Sequence, residues 1–103
     1  MLISLTLLMT AAAPLGAGQM ACVVHDVTRN KVLLSRQFDA SSGTEASKYE
    51  AFIAAVRGEG YLPESSQIEG GCIWASSADG AAEAVAAYRN KFPSANQLTV
   101  PFS

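Results

Sequence analysis

Charge is missing from the start of this chain. All seven Lys and Arg and all nine Asp and Glu of its 103 residues lie beyond Cys22, so the first 21 residues carry no charged side chain. Histidine and tryptophan occur once each, as His25 and Trp74, and cysteine twice, as Cys22 and Cys72. One histidine, two distant cysteines and scattered carboxylates (Glu45, Glu50, Glu59, Glu64 and Glu69) offer no recognisable metal-ligand spacing. The closest basic pairs are Arg29/Lys31 and Arg89/Lys91, and the net charge is −2. A nucleic acid is therefore not an expected partner. Gly-x-Ser-x-Gly is absent, and Gly70-Gly71 lacks the Lys-Ser/Thr of a phosphate loop. The sequence implies no cofactor.

What is present belongs to a folded protein. Half of the residues are apolar and 16% are charged, as in globular rather than disordered chains. The length allows one domain. Its first segment runs Leu2-Ile3-Ser4-Leu5-Thr6-Leu7-Leu8-Met9-Thr10-Ala11-Ala12-Ala13, followed by Pro14 and the small residues Gly16-Ala17-Gly18. An apolar run of that length, a helix breaker and a small-residue end have the layout of an export signal. The run is too short to span a membrane. Residues 1–18 are thus predicted to be a signal peptide, and residues 19–103 one small domain in the periplasm or outside the cell. The segment lacks the Lys or Arg with which such signals usually begin. A retained N-terminal helix that anchors or docks the chain, and an ordinary core segment, are the alternatives. Membrane contact is expected only if residues 1–18 are kept. Cys22 is not expected to carry lipid, because Gln19-Met20-Ala21 lacks the aliphatic residue usual three positions earlier.

Cys22 and Cys72 remain in the small exported domain. So few residues bury a limited fraction of their surface, and a crosslink stabilises such a domain considerably. A Cys22–Cys72 disulfide is predicted, with two free buried thiols as the alternative in a reducing compartment.

Along the chain, residues 21–28 read as a β-branched strand and Arg29-Asn30 as a turn. Residues 31–39 read as a second strand with Val32, Leu34 and Phe38 on one face. Ser42 and Glu45 have capping-box spacing before a helix near 44–57, whose stripe is Tyr49, Phe52, Ile53 and Val56. Gly58 and Gly60 end it. Residues 67–75 form a third strand, in which Gly70-Gly71 implies a bulge or a close backbone approach. Ser76 and Asp79 open a second helix with the stripe Ala81, Ala84, Val85, Tyr88 and Phe92, ended by Pro93. Leu98, Val100 and Phe102 alternate in a last strand, which Pro101 places at an edge. The expected fold is α+β in the order β-β-α-β-α-β, a single antiparallel or mixed four-stranded sheet with both helices on one face.

Candidate functional residues are few. His25 has no acid–base partner in reach, since alternation sends Asp26 to the opposite face. With reduced cysteines it could pair with Cys72 as a nucleophile. Trp74 shares a face with Cys72 and would either pack on the disulfide or present an aromatic platform to a sugar, peptide or protein. Ile73-Trp74-Ala75-Ser76-Ser77, then Ala81-Ala82-Glu83-Ala84 and Tyr88, resembles the strand and Ala-rich helix of SPOR domains, small bacterial envelope domains that bind peptidoglycan. The resemblance covers about a third of the chain. It lacks the family's Gln-x-Gly strand signature and starts with a hairpin instead of strand–helix. It implies a glycan-binding module. The leading expectation is a non-enzymatic exported domain that binds an envelope or membrane-associated protein, with Trp74 and His25 as its candidate surface. An enzyme or inhibitor that depends on His25 is the third.

Overall fold

A computed structural model describes residues 18–40 and 43–102. Residues 1–17 of the predicted signal peptide, and Ser42, lie outside the described residues. β1 (Gln19–Asp26) is buried from Met20 onward on both faces, as expected of a strand whose Val, Ala and Cys residues leave no polar face. The turn at 27–30 closes through Asn30, which takes φ 53°, the left-handed region that asparagine tolerates best among non-glycine residues. β2 (Lys31–Ser35) returns antiparallel, with Val23 opposite Leu34 and His25 opposite Val32.

The expected single strand 31–39 is interrupted. At Ser35 the chain leaves β1, and the Ser35 hydroxyl takes over as acceptor for the Cys22 amide at 2.8 Å while donating to the Arg36 carbonyl. Pairing resumes in β3 (Phe38–Asp39), with Met20 opposite Phe38. The register has gained one residue between Leu34 and Phe38, which defines a β-bulge at Arg36-Gln37. Because side chains alternate, the extra residue reverses every later face. Phe38 therefore joins Leu33 in one core cluster, while Val32 and Leu34 belong to the other. The expectation that Val32, Leu34 and Phe38 share a face is corrected by this bulge.

α1 (Glu45–Gly58) starts at Thr44 rather than Ser42. The Thr44 hydroxyl accepts from the Ser47 amide at 3.0 Å, and Ser47 Oγ accepts from the Thr44 amide. β4 (Ile68–Ala75) then pairs with β1 along its whole length, so Cys22 lies directly opposite Cys72 and the two form a disulfide. α2 (Ala78–Arg89) is capped by Ser77, one residue beyond the expected Ser76, whose hydroxyl accepts from the Gly80 amide. β5 (Asn96–Val100) closes the sheet as an edge strand parallel to β2.

The sheet reads β4-β1-β2-β5, with β3 continuing the β2 position beside β1. It is mixed and five-stranded, one strand more than expected because the bulge divides residues 31–39 in two. The α+β class and otherwise the element order agree with the sequence reading. The two helices, however, occupy opposite faces. Phe52 and Val56 of α1 pack with Met20, Cys22 and Val24, whereas Val85 and Tyr88 of α2 pack against Val23, Val32 and Leu34. The reason is the path of the chain. β2, β4 and β5 all run against β1, so α1 and α2 are each a crossover between parallel strands. The first moves one way across the sheet and the second moves back. Crossovers of one hand that reverse direction must use opposite faces. Single-faced packing would also have left Val23, Val32 and Leu34 in water.

Two ties fasten the Asp26 end of β1. Asp26 is fully buried and accepts from Arg29 Nε at 2.6 Å and from the Arg29 amide at 3.1 Å. Arg29 also donates to the Tyr61 carbonyl, which joins the hairpin to the connection after α1. Burial would raise the Asp26 carboxyl, but hydrogen bonds from the Arg29 side chain and backbone and from Ser66, with the Arg29 charge, hold it below the ordinary aspartate value.

Candidate binding site

Each helix covers only half of its face. A helix with its side chains is about 10–12 Å across and strands lie about 4.8 Å apart, so one helix spans little more than two strands. Both helices seat on β1 and β4. The β2–β5 half of the sheet is left with less cover, and there Leu98 is 42% exposed.

On the α2 face this uncovered half forms a groove of about 380 Å³. Its floor is Ala21, Leu34 and Thr99 from three strands. Its wall is Ala82, Val85, Ala86 and Arg89, an i, i+3, i+4, i+7 stripe on the side of α2 that faces away from β4. Ser35 and the bulge residues Arg36 and Gln37 supply the remaining wall. Gln37 Nε2 donates to the Ala78 carbonyl at 3.1 Å, which fastens the bulge to the start of α2. Arg89 Nε donates to Gln97 Oε1, so its guanidinium lies over β5. A second hollow shares Arg36, Gln37 and Thr99 and continues past the end of β5 to Pro101 and Phe102.

The electrostatics of the groove are one-sided. Two guanidinium groups line it and no carboxylate does. The described ion pairs are His25–Glu69 and Arg29–Asp26, so neither Arg36 nor Arg89 is neutralised by a carboxylate among the described residues. In a chain of net charge −2, this is a local concentration of unpaired positive charge on an apolar floor.

The residues singled out from sequence lie elsewhere. Cys22 and Cys72 are joined, which removes the thiol that a His25–Cys72 pair would need, and His25 points to the opposite face. His25 is buried, its ring stacked on Phe92 with centroids 3.9 Å apart. Nδ1 lies 3.4 Å from Glu69 Oε2 and Nε2 lies 3.1 Å from Asn30 Oδ1. Asn30 in turn donates to Ser94. His25 thus ties β1, the hairpin turn, β4 and the segment after α2 together. Tyr88 reaches the same place, donating from its hydroxyl to the Glu69 carbonyl at 3.2 Å. Burial, then the charges of Glu69 and Tyr49, push the Tyr88 phenol up to about 12.

Trp74 is half-buried on the α1 face with the disulfide, and Gly18 packs closely on its indole, where a Cβ would lie 2.7 Å from the ring. Its backbone amide donates to Glu45 Oε2 at 3.0 Å. Neither His25 nor Trp74 enters the groove. Arg36, Gln37 and Arg89 form no pattern in the sequence, because their meeting depends on a bulge and on the seat of α2. The only local sign was the basic pair Arg89/Lys91.

No known protein family, characterised protein or solved structure matches the chain. The SPOR-like residues 73–88 accordingly carry no family assignment. No described helix is long and apolar enough to cross a membrane, and no three or more His, Cys, Asp and Glu come together among the described residues.

Proposed function

We propose that this chain is an exported, non-enzymatic domain that binds another envelope protein through the β2–β5 half of its sheet. The observation that carries the reading is the groove between α2 and the bulge, a concavity with an apolar floor and convergent polar groups. His25, the side chain best suited to acid–base chemistry, is occupied as a tie between four segments. The Cys22–Cys72 bond supports an oxidising compartment, in which such bonds persist.

The test is site-specific photo-crosslinking in the native host. A photoreactive residue at Ala86 in the groove is compared with one at Glu59, beyond the far end of α1. One stoichiometric envelope protein, captured from position 86 alone and forming a purified complex with the chain, is the expected result. A chain recovered from the cytoplasm with both thiols reduced would overturn the reading. So would retention on purified peptidoglycan that Trp74→Ala abolishes, which would install the glycan-binding alternative in its place.

A further inference from the structure

We infer that the groove captures the free C-terminal carboxylate of a partner peptide that ends in an aliphatic residue, an assignment that rests on the groove being the binding face. Three observations define the occupant. First, Arg36 and Arg89 come from separate elements, line one cavity and have no carboxylate partner among the described residues. A guanidinium presents a planar fork that matches a carboxylate, and two of them on one hollow call for an anion. Arg89 spends Nε on Gln97, which orients it and leaves its terminal nitrogens for a ligand.

Second, the floor apart from Thr99, and the helix wall before Arg89, are small and apolar. Ala21, Leu34, Ala82, Val85 and Ala86 leave room for one aliphatic side chain and offer it no hydrogen bond. A phosphate or an acidic sugar would set polar groups on that surface without partners. A carboxylate attached next to an aliphatic group satisfies both halves of the site.

Third, polar groups suited to a peptide backbone stand between the two. Thr99 and the bulge at Gln37 adjoin both this groove and the second hollow, which gives an extended segment a way out past Pro101 and Phe102. A bulge commonly re-aims side chains beside a functional site, and here it brings Arg36 to the groove. A fatty acid shares the amphiphilic carboxylate but would leave these backbone-matching groups unused.

The experiment uses the full oxidised chain and a fluorescent five-residue peptide ending in leucine, as the free acid and as the C-terminal amide. The free acid is expected to bind on the order of tenfold or more tightly than the amide, the weight of a charge-assisted hydrogen bond. Arg36→Gln and Arg89→Gln should each remove most of that difference, with an unchanged unfolding midpoint because both side chains are exposed. Raised salt should weaken the acid and leave the amide alone. Equal binding of acid and amide, or no binding of either, whether or not dodecanoate binds, would overturn the proposal. If the peptide fails while position 86 still crosslinks its envelope protein, the carboxylate chemistry is lost and the groove remains the binding face.

Discussion

Gly70 of β4 lies so close to Val23 of β1 that a Cβ at position 70 would sit 2.2 Å from the Val23 carbonyl oxygen. At Gly71, one residue on, a Cβ would meet nothing within 4 Å. The register runs through both residues without a break, so the glycine pair marks a close approach and not a bulge. A contact of 2.2 Å with backbone has no flexible side chain to give way, and the pairing of β1 with β4 must distort.

Gly70→Ala is therefore expected to destabilise the fold by about 3 kcal/mol or more, in the range of severe core and backbone strain. Gly71→Ala is expected to cost less than about 1 kcal/mol, since it adds a methyl in open space on an edge strand. Urea unfolding of the two variants side by side checks the contrast. Equal losses would show that the close approach does not govern this site.

The cross-strand position of Cys22 and Cys72 makes a second expectation quantitative. A bond closing a separation of 50 residues removes unfolded-state entropy worth about 4 kcal/mol. The double variant Cys22→Ala/Cys72→Ala should lose about that much, with a small further loss for the buried sulfur atoms. Denaturant midpoints of the oxidised, reduced and double-alanine forms are the measurement. The reduced and double-alanine forms should lie close together and well below the oxidised one.

The pair of buried Asp26 and exposed Arg29 should shape the acid limb of stability. The folded carboxyl is held below its unfolded value near 3.8, so the unfolded chain binds more protons in that window. Its contribution is present above about pH 4 and is lost as the pH falls through the folded value. Arg29→Ala leaves Asp26 buried without its charged partner and should cost about 3 kcal/mol near neutral pH. Asp26→Asn should flatten the acid limb. Stability measured from pH 7 down to pH 2 separates the two.

Tyr88 should act on the alkaline side. Its phenol is pushed up to about 12 from an ordinary value of 10.0, first by burial and then by the Glu69 and Tyr49 charges. The folded state therefore keeps a proton that the unfolded chain has lost. Stability is unaffected below about pH 10 and falls as the pH rises towards 12. Ultraviolet titration of the phenols should show a late-ionising tyrosine that Tyr88→Phe removes.

Much of this molecule was legible one element at a time. The β-branched run after Ala21, the stripe of Tyr49, Phe52, Ile53 and Val56, and the two glycines of β4 are local patterns with local physical causes. Periodicity and turn chemistry were enough to read the order β-β-α-β-α-β and the α+β class. The sequence does not distinguish the caps of α1, because Thr44 with Ser47 and Ser42 with Glu45 have the same spacing, and the choice between them belongs to the folded backbone.

The functional surface was not legible, for a reason that Arg36 and Arg89 make plain. Nothing within a few residues of either marks it as special. Arg36 reaches the groove through a one-residue bulge, and a period-two reading of residues 31–39 has no means of finding an inserted residue. Arg89 reaches it because α2 seats over β1 and β4, leaving the far half of the sheet to the side of the helix that carries Ala82 and Ala86. That seat follows from a crossover reversing its direction across the sheet. The sequence by itself determined the strands, the helices and the two cysteines available for bonding, since these depend on near neighbours and on which side chains avoid water. Only the tertiary structure decided which face each helix covers and which two arginines meet, because both depend on the path of the whole chain.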